Sequence, residues 1–179
     1  MTIYQQHLDA VDANYQPLSP LSLLARTADV YPNKVAVIHG SVQRTWRETY
    51  TRCRQLASAL SQRGIGVGDT VSIICPNLPE HFEAHFGVPM VGAVLNSINT
   101  RLDAPAVAFI LQHAEAKLLI TEREMFPVVS QALKLMDNPP PVIDIDDPSF
   151  VGGELLGEMS YEQLLATGDA DFAWLSPSD

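Results

Sequence analysis

The sequence predicts an α/β fold: a mostly parallel, doubly wound sheet flanked by helices and opened by an N-terminal hairpin. Three observations predict it. Short β-branched runs alternate with amphipathic stretches of helical period along the chain. Several of those stretches begin with a Ser, Thr, Asn or Asp cap and carry Pro or Glu in the first turn. The intervening runs are continuously apolar, as strands buried on both faces are. Crossovers between parallel strands are right-handed, which places helices on both faces of the sheet.

The elements follow in order. Residues 35–38 form a first strand-like run, His39-Gly40-Ser41 a turn, and 42–45 a return, so the opening pair is a hairpin. Thr45-Trp46-Arg47-Glu48 is a capping box. Cys53, Leu56, Ala57 and Leu60 then lie on one stripe of a helix that stops at Gly64. Residues 70–75 read as a buried strand. Asn77 caps the next helix, with Pro79 in its first turn and Glu80 completing the box, and the helix runs toward Met90. Residues 93–98 are a strand. Asp103 caps a helix to about His113, with Pro105 in its first turn. Residues 117–120 are a strand, and Thr121 caps a helix ending near Met136. Pro139-Pro140-Pro141 forces an extended link into a strand at 142–145, and Ser160 caps a short last helix. The total is about five strands after one hairpin, with no internal repeat. Residues 1–17 carry weak signals and are expected to pack loosely.

Composition and charge exclude several classes. Of 179 residues 46% are apolar and 18% charged, which is globular rather than disordered. Two cysteines cannot build a disulfide scaffold. No apolar run reaches the ~20 residues of a membrane span. The N-terminus MTIYQQHLDA lacks the basic and apolar regions of a secretory signal, so a cytoplasmic location is expected. The net charge of −10 is uneven: residues 1–134 hold 11 basic and 11 acidic residues, whereas 135–179 hold 10 acidic residues and no Lys or Arg. That tail repels phosphate backbones, so nucleic acid is not an expected partner. It reads as a solvated acidic surface or as a docking surface for another part of the same protein.

Candidate chemistry is sparse. Gly64, Gly66 and Gly68 follow a helix and precede a strand, the reverse of a phosphate-binding loop, and read as a helix stop and turn. His81 and His85 flank Glu83 at metal-sharing spacing, but the order is not that of a zinc protease and no third ligand lies nearby, so they read as structural. Cys53 and Cys75 read as small core residues. Neither G-x-S-x-G nor G-x-x-x-x-G-K-[ST] occurs. Arg44, Arg47, Arg52, Arg54 and Arg63 cluster with few acidic neighbours in sequence, which reads as a basic face or a solvated helix surface. No catalytic residue and no metal ligand is assigned.

Three stretches, in order, resemble the N-terminal part of the AMP-forming acyl-CoA synthetases of the adenylate-forming superfamily. The first is KVAVIHG (34–40) and TWRE (45–48), followed by RQLA (54–57) and GVGDTV (66–71). The second is CPNLPE (75–80) with HFGVPMVGAVL (85–95). The third is INTRL (98–102) with LQHAEAK (111–117). The resemblance spans residues 18–171. It implies that residues 1–179 are one subdomain of a larger adenylate-forming fold, the N-terminal subdomain of its AMP-binding domain. It implies a fatty-acid or related carboxylate ligase using ATP, CoA and Mg²⁺. The family's Ser/Thr/Gly-rich phosphate loop ending in Pro-Lys-Gly does not occur before the final AWLSPSD (173–179), nor do its adenine and ribose motifs or its catalytic lysine. These residues alone are therefore expected to be inactive scaffolding and to bind none of these groups. Arg101, in Asn99-Thr100-Arg101-Leu102, is where some family members place a basic residue near the CoA nucleotide, so that the resemblance implies pairing with a CoA phosphate; the alternative is an Arg that braces the loop between strand and helix. The rival reading is a non-catalytic interaction module, self-associating or docking through an exposed apolar face.

Overall fold

The computed structural model describes residues 19–176, together with Gln6 and Val11; the loose packing expected of 1–17 otherwise lies outside the described residues. The first helix, α1 (Pro20–Val30), is absent from the sequence reading above. Ser19 Oγ accepts from the Leu21 N–H at 3.2 Å, Pro20 occupies the first turn, and Leu21, Leu24 and Ala28 are buried. Those three positions share one face, a signal that was present in the sequence.

The hairpin is as expected: β1 (Val35–His39) pairs antiparallel with β2 (Val42–Thr45) as a separate two-stranded sheet. Helix α2 (Trp46–Gln62) starts on the capping box, Glu48 N–H to Thr45 Oγ1 at 3.3 Å and Thr45 N–H to Glu48 Oε2 at 2.7 Å. It ends on Gly64 at φ +77°, where Ile65 N–H reaches Leu60 O and Gly64 N–H reaches Ser61 O, both at 3.0 Å. This pair of bonds needs a left-handed residue, which glycine supplies without steric cost.

The main sheet follows: β3 (Thr70–Ile74), α3 (Pro79–Met90), β4 (Val94–Ser97), α4 (Ala104–His113), β5 (Ala116–Glu122), α5 (Phe126–Lys134), β6 (Val142–Ile145), β7 (Met159–Ser160) and α6 (Tyr161–Ala166). Its order is β4-β3-β5-β6-β7, with every neighbouring pair parallel. The fifth strand is the two-residue β7, which has no hydrophobic signature of its own. Alternate residues feed two cores. Val71, Ile73, Leu118, Ile120, Ile143 and Ile145 pack under α1, α2, α3 and α6. Ile74, Leu119 and Val142 pack under α4 and α5. The sheet is thus doubly wound.

Two expected caps are corrected. The N-cap of α3 is Leu78, with no side-chain bond, because a tight turn from Leu78 N–H to Pro76 O (2.9 Å) carries the chain past Asn77. Thr121 stays in β5 and is buried, donating to Ile74 O at 3.2 Å; Glu122 caps a 3-10 turn at Arg123–Met125 instead. The following helix ends at Lys134 rather than Met136. No helix among the described residues is long and apolar enough to cross a membrane. Large exposed apolar side chains include Ile38, Val67, Phe109 and Leu135, and they sit on four separate segments rather than on one element.

Candidate functional site

An open α/β sheet binds ligands outside the carboxyl ends of its strands, where successive crossovers diverge. Here that point lies between β3 and β5: the chain leaves β3 into α3 on one face and β5 into α5 on the other. Glu122 ends β5 there and is 1% exposed. Its Oε2 accepts the Glu124 N–H at 2.6 Å, while its Oε1 has no partner among the described residues. Burial pushes this carboxyl above the usual carboxylate range, against the pull of the Glu124 N–H. Arg123 Nη2 meets Asp146 Oδ1 at 3.1 Å. Asp144 takes the N–H groups of Leu156 and Gly157, tying loop 146–157 back to β6.

Asp147, in the same loop, holds the hairpin to the sheet: His39 Nε2 lies 3.0 Å from Asp147 Oδ2, and Ser149 donates Oγ–H (2.7 Å) and N–H (2.9 Å). Burial raises the Asp147 carboxyl, but these hydrogen bonds outweigh it and hold the group below the ordinary aspartate value. A folded value below the unfolded one stabilises the protein above the unfolded value, and that contribution is lost as pH falls through the folded value. Asp147→Asn is therefore expected to cost about 1–2 kcal/mol at neutral pH. The cost should vanish in urea titrations run well below the ordinary aspartate value of 3.8. An equal cost at both pH values would contradict this account.

Beside Asp147 a groove of about 460 Å³ opens between β1 and the start of α3, lined by His39, His81 and His85 among apolar walls that include Ile38, Leu78 and Phe82. The histidines are committed to structure. His81 Nε2 meets Ser97 Oγ at 2.7 Å, and His85 Nδ1 lies 2.8 Å from the His81 carbonyl, which can only accept. Burial, then His85, lowers the His81 value, against the pull of the Pro76 backbone. Among the described residues no three His, Cys, Asp or Glu side chains converge to hold a metal ion. The donor groups at this site do not fit the Mg²⁺ that the resemblance implies.

The arginine cluster corrects the sequence reading most. No unopposed basic face forms, because four of the five arginines are paired; Arg47 and Arg63 keep the solvated position expected of a helix surface, whereas Arg44 and Arg52 are drawn into the fold. Glu83, 1% exposed on α3, accepts from Arg44 Nη1 (2.8 Å), Arg52 Nε (2.7 Å) and Tyr161 OH (3.1 Å). Arg44 also reaches Glu80, and Arg52 forks onto Glu162 at 2.5 and 2.9 Å. Arg63 pairs with Glu158, and Arg54 with Asp171 at 3.0 Å. Arg47 is exposed. Three acids of the C-terminal acidic stretch thus dock onto arginines of this cluster, and a fourth, Asp146, onto Arg123. Sequence reasoning missed Glu83 although a signal existed: it lies one turn from Pro79 and Gly87 on a face that is otherwise buried, and a carboxylate there needs partners.

The remaining candidates stay quiet chemically. Cys53 and Cys75 are buried, and burial raises both thiols, Cys75 to about 12, so neither is a nucleophile at neutral pH. Gly64, Gly66 and Gly68 lie in the loop entering β3, at the amino end of the sheet and away from the crevice. Arg101 is exposed in the loop leaving β4, where its N–H donates to Asn99 Oδ1 at 2.9 Å. It shares the carboxyl-end rim with Glu122 and Asp147. These groups can orient and hold a ligand; the one imidazole–hydroxyl contact described above, His81 with Ser97, has no carboxylate in contact with its ring among the described residues.

Comparison with known proteins adds what the geometry does not. The AMP-binding enzyme family matches residues 24–177. A peroxisomal acetate/butyrate–CoA ligase of Arabidopsis thaliana is 46% identical over 184 residues, covering 96% of this chain and 32% of the relative. An acetate–CoA ligase of Humulus lupulus is 44% identical, covering 93% and 32%. The crystal structure of an anthranilate CoA ligase with anthranoyl-AMP superposes with a TM-score of 0.79 at 22% identity, over 93% of this chain and 32% of that one, a likeness of fold. The chain therefore spans about a third of the length of these relatives. The peroxisomal relative runs against the cytoplasmic location expected from the N-terminus, and that expectation is withdrawn. The acids named are acetate, butyrate and anthranilate, so a specifically fatty-acid substrate does not follow from them.

Proposed function

The chain belongs to the AMP-binding enzyme family, and from that premise we propose that it is the N-terminal subdomain of an AMP-forming acid–thiol ligase. In that reaction a carboxylate oxygen attacks the α-phosphorus of ATP, and pyrophosphate leaves. The CoA thiolate then attacks the acyl carbon of the acyl-adenylate, and AMP leaves. The observation that carries the reading is the 46% identity to an acetate/butyrate–CoA ligase across 96% of this chain. A short carboxylic acid is the proposed substrate class, with ATP, its Mg²⁺ and CoA as reactants of the whole ligase.

The part assigned to these residues is support. Their sheet holds the carboxyl-end rim in place, and they carry no activated nucleophile and no phosphate loop. Arg101 is proposed to meet a CoA phosphate: its guanidinium is exposed on that rim and can pair with a phosphate through two N–H donors.

Two arms test this. The 179-residue chain alone, given ATP, Mg²⁺, butyrate and CoA, is expected to release no pyrophosphate. A chimera in which residues 24–177 replace the matching third of the acetate/butyrate ligase is expected to form butyryl-CoA. In that chimera Arg101→Ala should raise the KM for CoA about tenfold while leaving adenylate formation unchanged. Turnover by the chain alone, or a folded chimera that activates no acid, would overturn the assignment.

A further inference from the structure

Beyond α6 the described residues stay packed on the fold. Residues 169–176 turn back over α2 in irregular conformation. Gly168 starts this return, packed so tightly on the Gln55 carbonyl of α2 that a Cβ has no room. Among the described residues, Arg54, Tyr50 and Met90 take the long-range hydrogen bonds of this segment. Arg54 donates Nε–H to Phe172 O at 3.2 Å and Nη2–H to Asp171 Oδ1 at 3.0 Å. Tyr50, one turn earlier on α2, accepts the Trp174 Nε1–H at 2.8 Å, and its ring lies 5.3 Å from the Arg54 guanidinium. Met90, the last residue of α3, accepts the Leu175 N–H at 3.0 Å. Phe172 and Trp174 lay partly buried rings on the edge of the first core.

The contrast with the preceding helix is sharp. Tyr161, Leu164 and Leu165 of α6 are 1–2% exposed, inside the core. Asp171 is 93% exposed and Leu175 51%. No strand ladder crosses residues 169–176, so releasing them breaks a few side-chain contacts and leaves the sheet intact. Local opening of this kind requires only a fraction of the global unfolding free energy.

We propose that residues 169–176 form a reversible clasp, which closes over Tyr50, Arg54 and Met90 and opens as a unit while the five-stranded sheet stays folded. Closed, it seals the aromatic edge of the first core. Open, it uncovers the Tyr50–Arg54 face of α2 and the carbonyl end of α3. Arg54 is the closing contact, because it alone joins the clasp's backbone, its acid and the ring that holds Trp174. Salt weakens the Arg54–Asp171 part, since Asp171 faces solvent.

Amide hydrogen exchange by mass spectrometry on the full 179-residue chain tests the clasp. Amides of 172–176 should exchange at least ~100-fold faster than those of β3. Arg54→Ala should speed exchange in 172–176 about tenfold and leave β3 and β5 unchanged. Tyr50→Phe, which keeps the ring and removes only the acceptor of Trp174, should act in the same direction with a smaller change. Equal protection of 172–176 and β3, equal absence of it, or an Arg54→Ala effect spread evenly over both segments would overturn the proposal.

Discussion

Glu83→Ala is expected to destabilise the protein by about 3–5 kcal/mol, the cost of breaking a buried ion cluster from one side. The carboxylate is 1% exposed and gathers Arg44, Arg52 and the Tyr161 hydroxyl, which come from β2, α2 and α6. Alanine leaves two guanidiniums, 14% and 17% exposed, with only their outer partners Glu80 and Glu162. It also leaves the fully buried Tyr161 hydroxyl without its acceptor. Glu162→Ala is the control: Glu162 is 61% exposed, and an exposed partner contributes about 0–1 kcal/mol. Urea denaturation of both variants would show the gap in midpoint, and equal midpoints would refute the account. The pH dependence has a definite sign. Burial pushes the Glu83 carboxyl above its ordinary value of 4.5, against the two arginines. With the folded value raised, Glu83 contributes most stability below the unfolded value, and that contribution is lost as pH rises through the folded one. Glu83→Gln should remove that slope while falling between wild type and alanine at neutral pH.

Gly87→Val is expected to cost about 3 kcal/mol, at the upper end of overpacking effects. Gly87 lies on α3 where it meets α2. A Cβ at this position would sit 2.7 Å from Leu56 Cδ2 and 2.9 Å from both the Cys53 carbonyl oxygen and Leu56 Cβ. The leucine tip can swing aside, but the Cys53 carbonyl is helix backbone and cannot. The two helices must separate, which loosens the layer containing Cys53, Leu56, Ala84 and Val88. Gly87→Ala keeps the Cβ clash without the branched methyls, and alanine favours the helix by about 1 kcal/mol over glycine. It should therefore fall between wild type and valine. Thermal unfolding followed by circular dichroism would rank the three, and a valine variant as stable as wild type would show that the helices tolerate separation.

Most of the fold was legible because it was written in local terms. The Thr45–Glu48 and Ser160–Gln163 boxes, the Asp103 cap and the Gly64 stop each depend on residues within one turn. The hairpin and the four longer strands of the sheet are likewise carried by short apolar runs. What was misplaced depended on competition between neighbours. Asn77 lost its cap to the turn at Pro76, and Thr121 lost its cap to a strand that ran on to Glu122. Helix α1 was legible but weak, since its apolar residues gain a partner only when α2 is in place. Of the candidate site, Arg101 and the histidine pair were named from sequence. Glu122 and Asp147 were not, because burial at the end of a strand, or in the loop just beyond one, leaves no pattern in the residues around them.

The order of elements, their caps, and the family to which they belong are properties of the linear chain, because each rests on spacing within a few residues. The fate of the charges is a property of the fold. Four of the five arginines looked unopposed because their acids lie 31 to 118 positions away, on α3, α6, the loop before β7 and the returning segment. Coulomb energy depends on distance in space and on the surrounding dielectric. Only packing, which brought Glu83 under α2 and laid the acidic C-terminal stretch across it, could turn an apparent basic face into a buried ion cluster and a clasp.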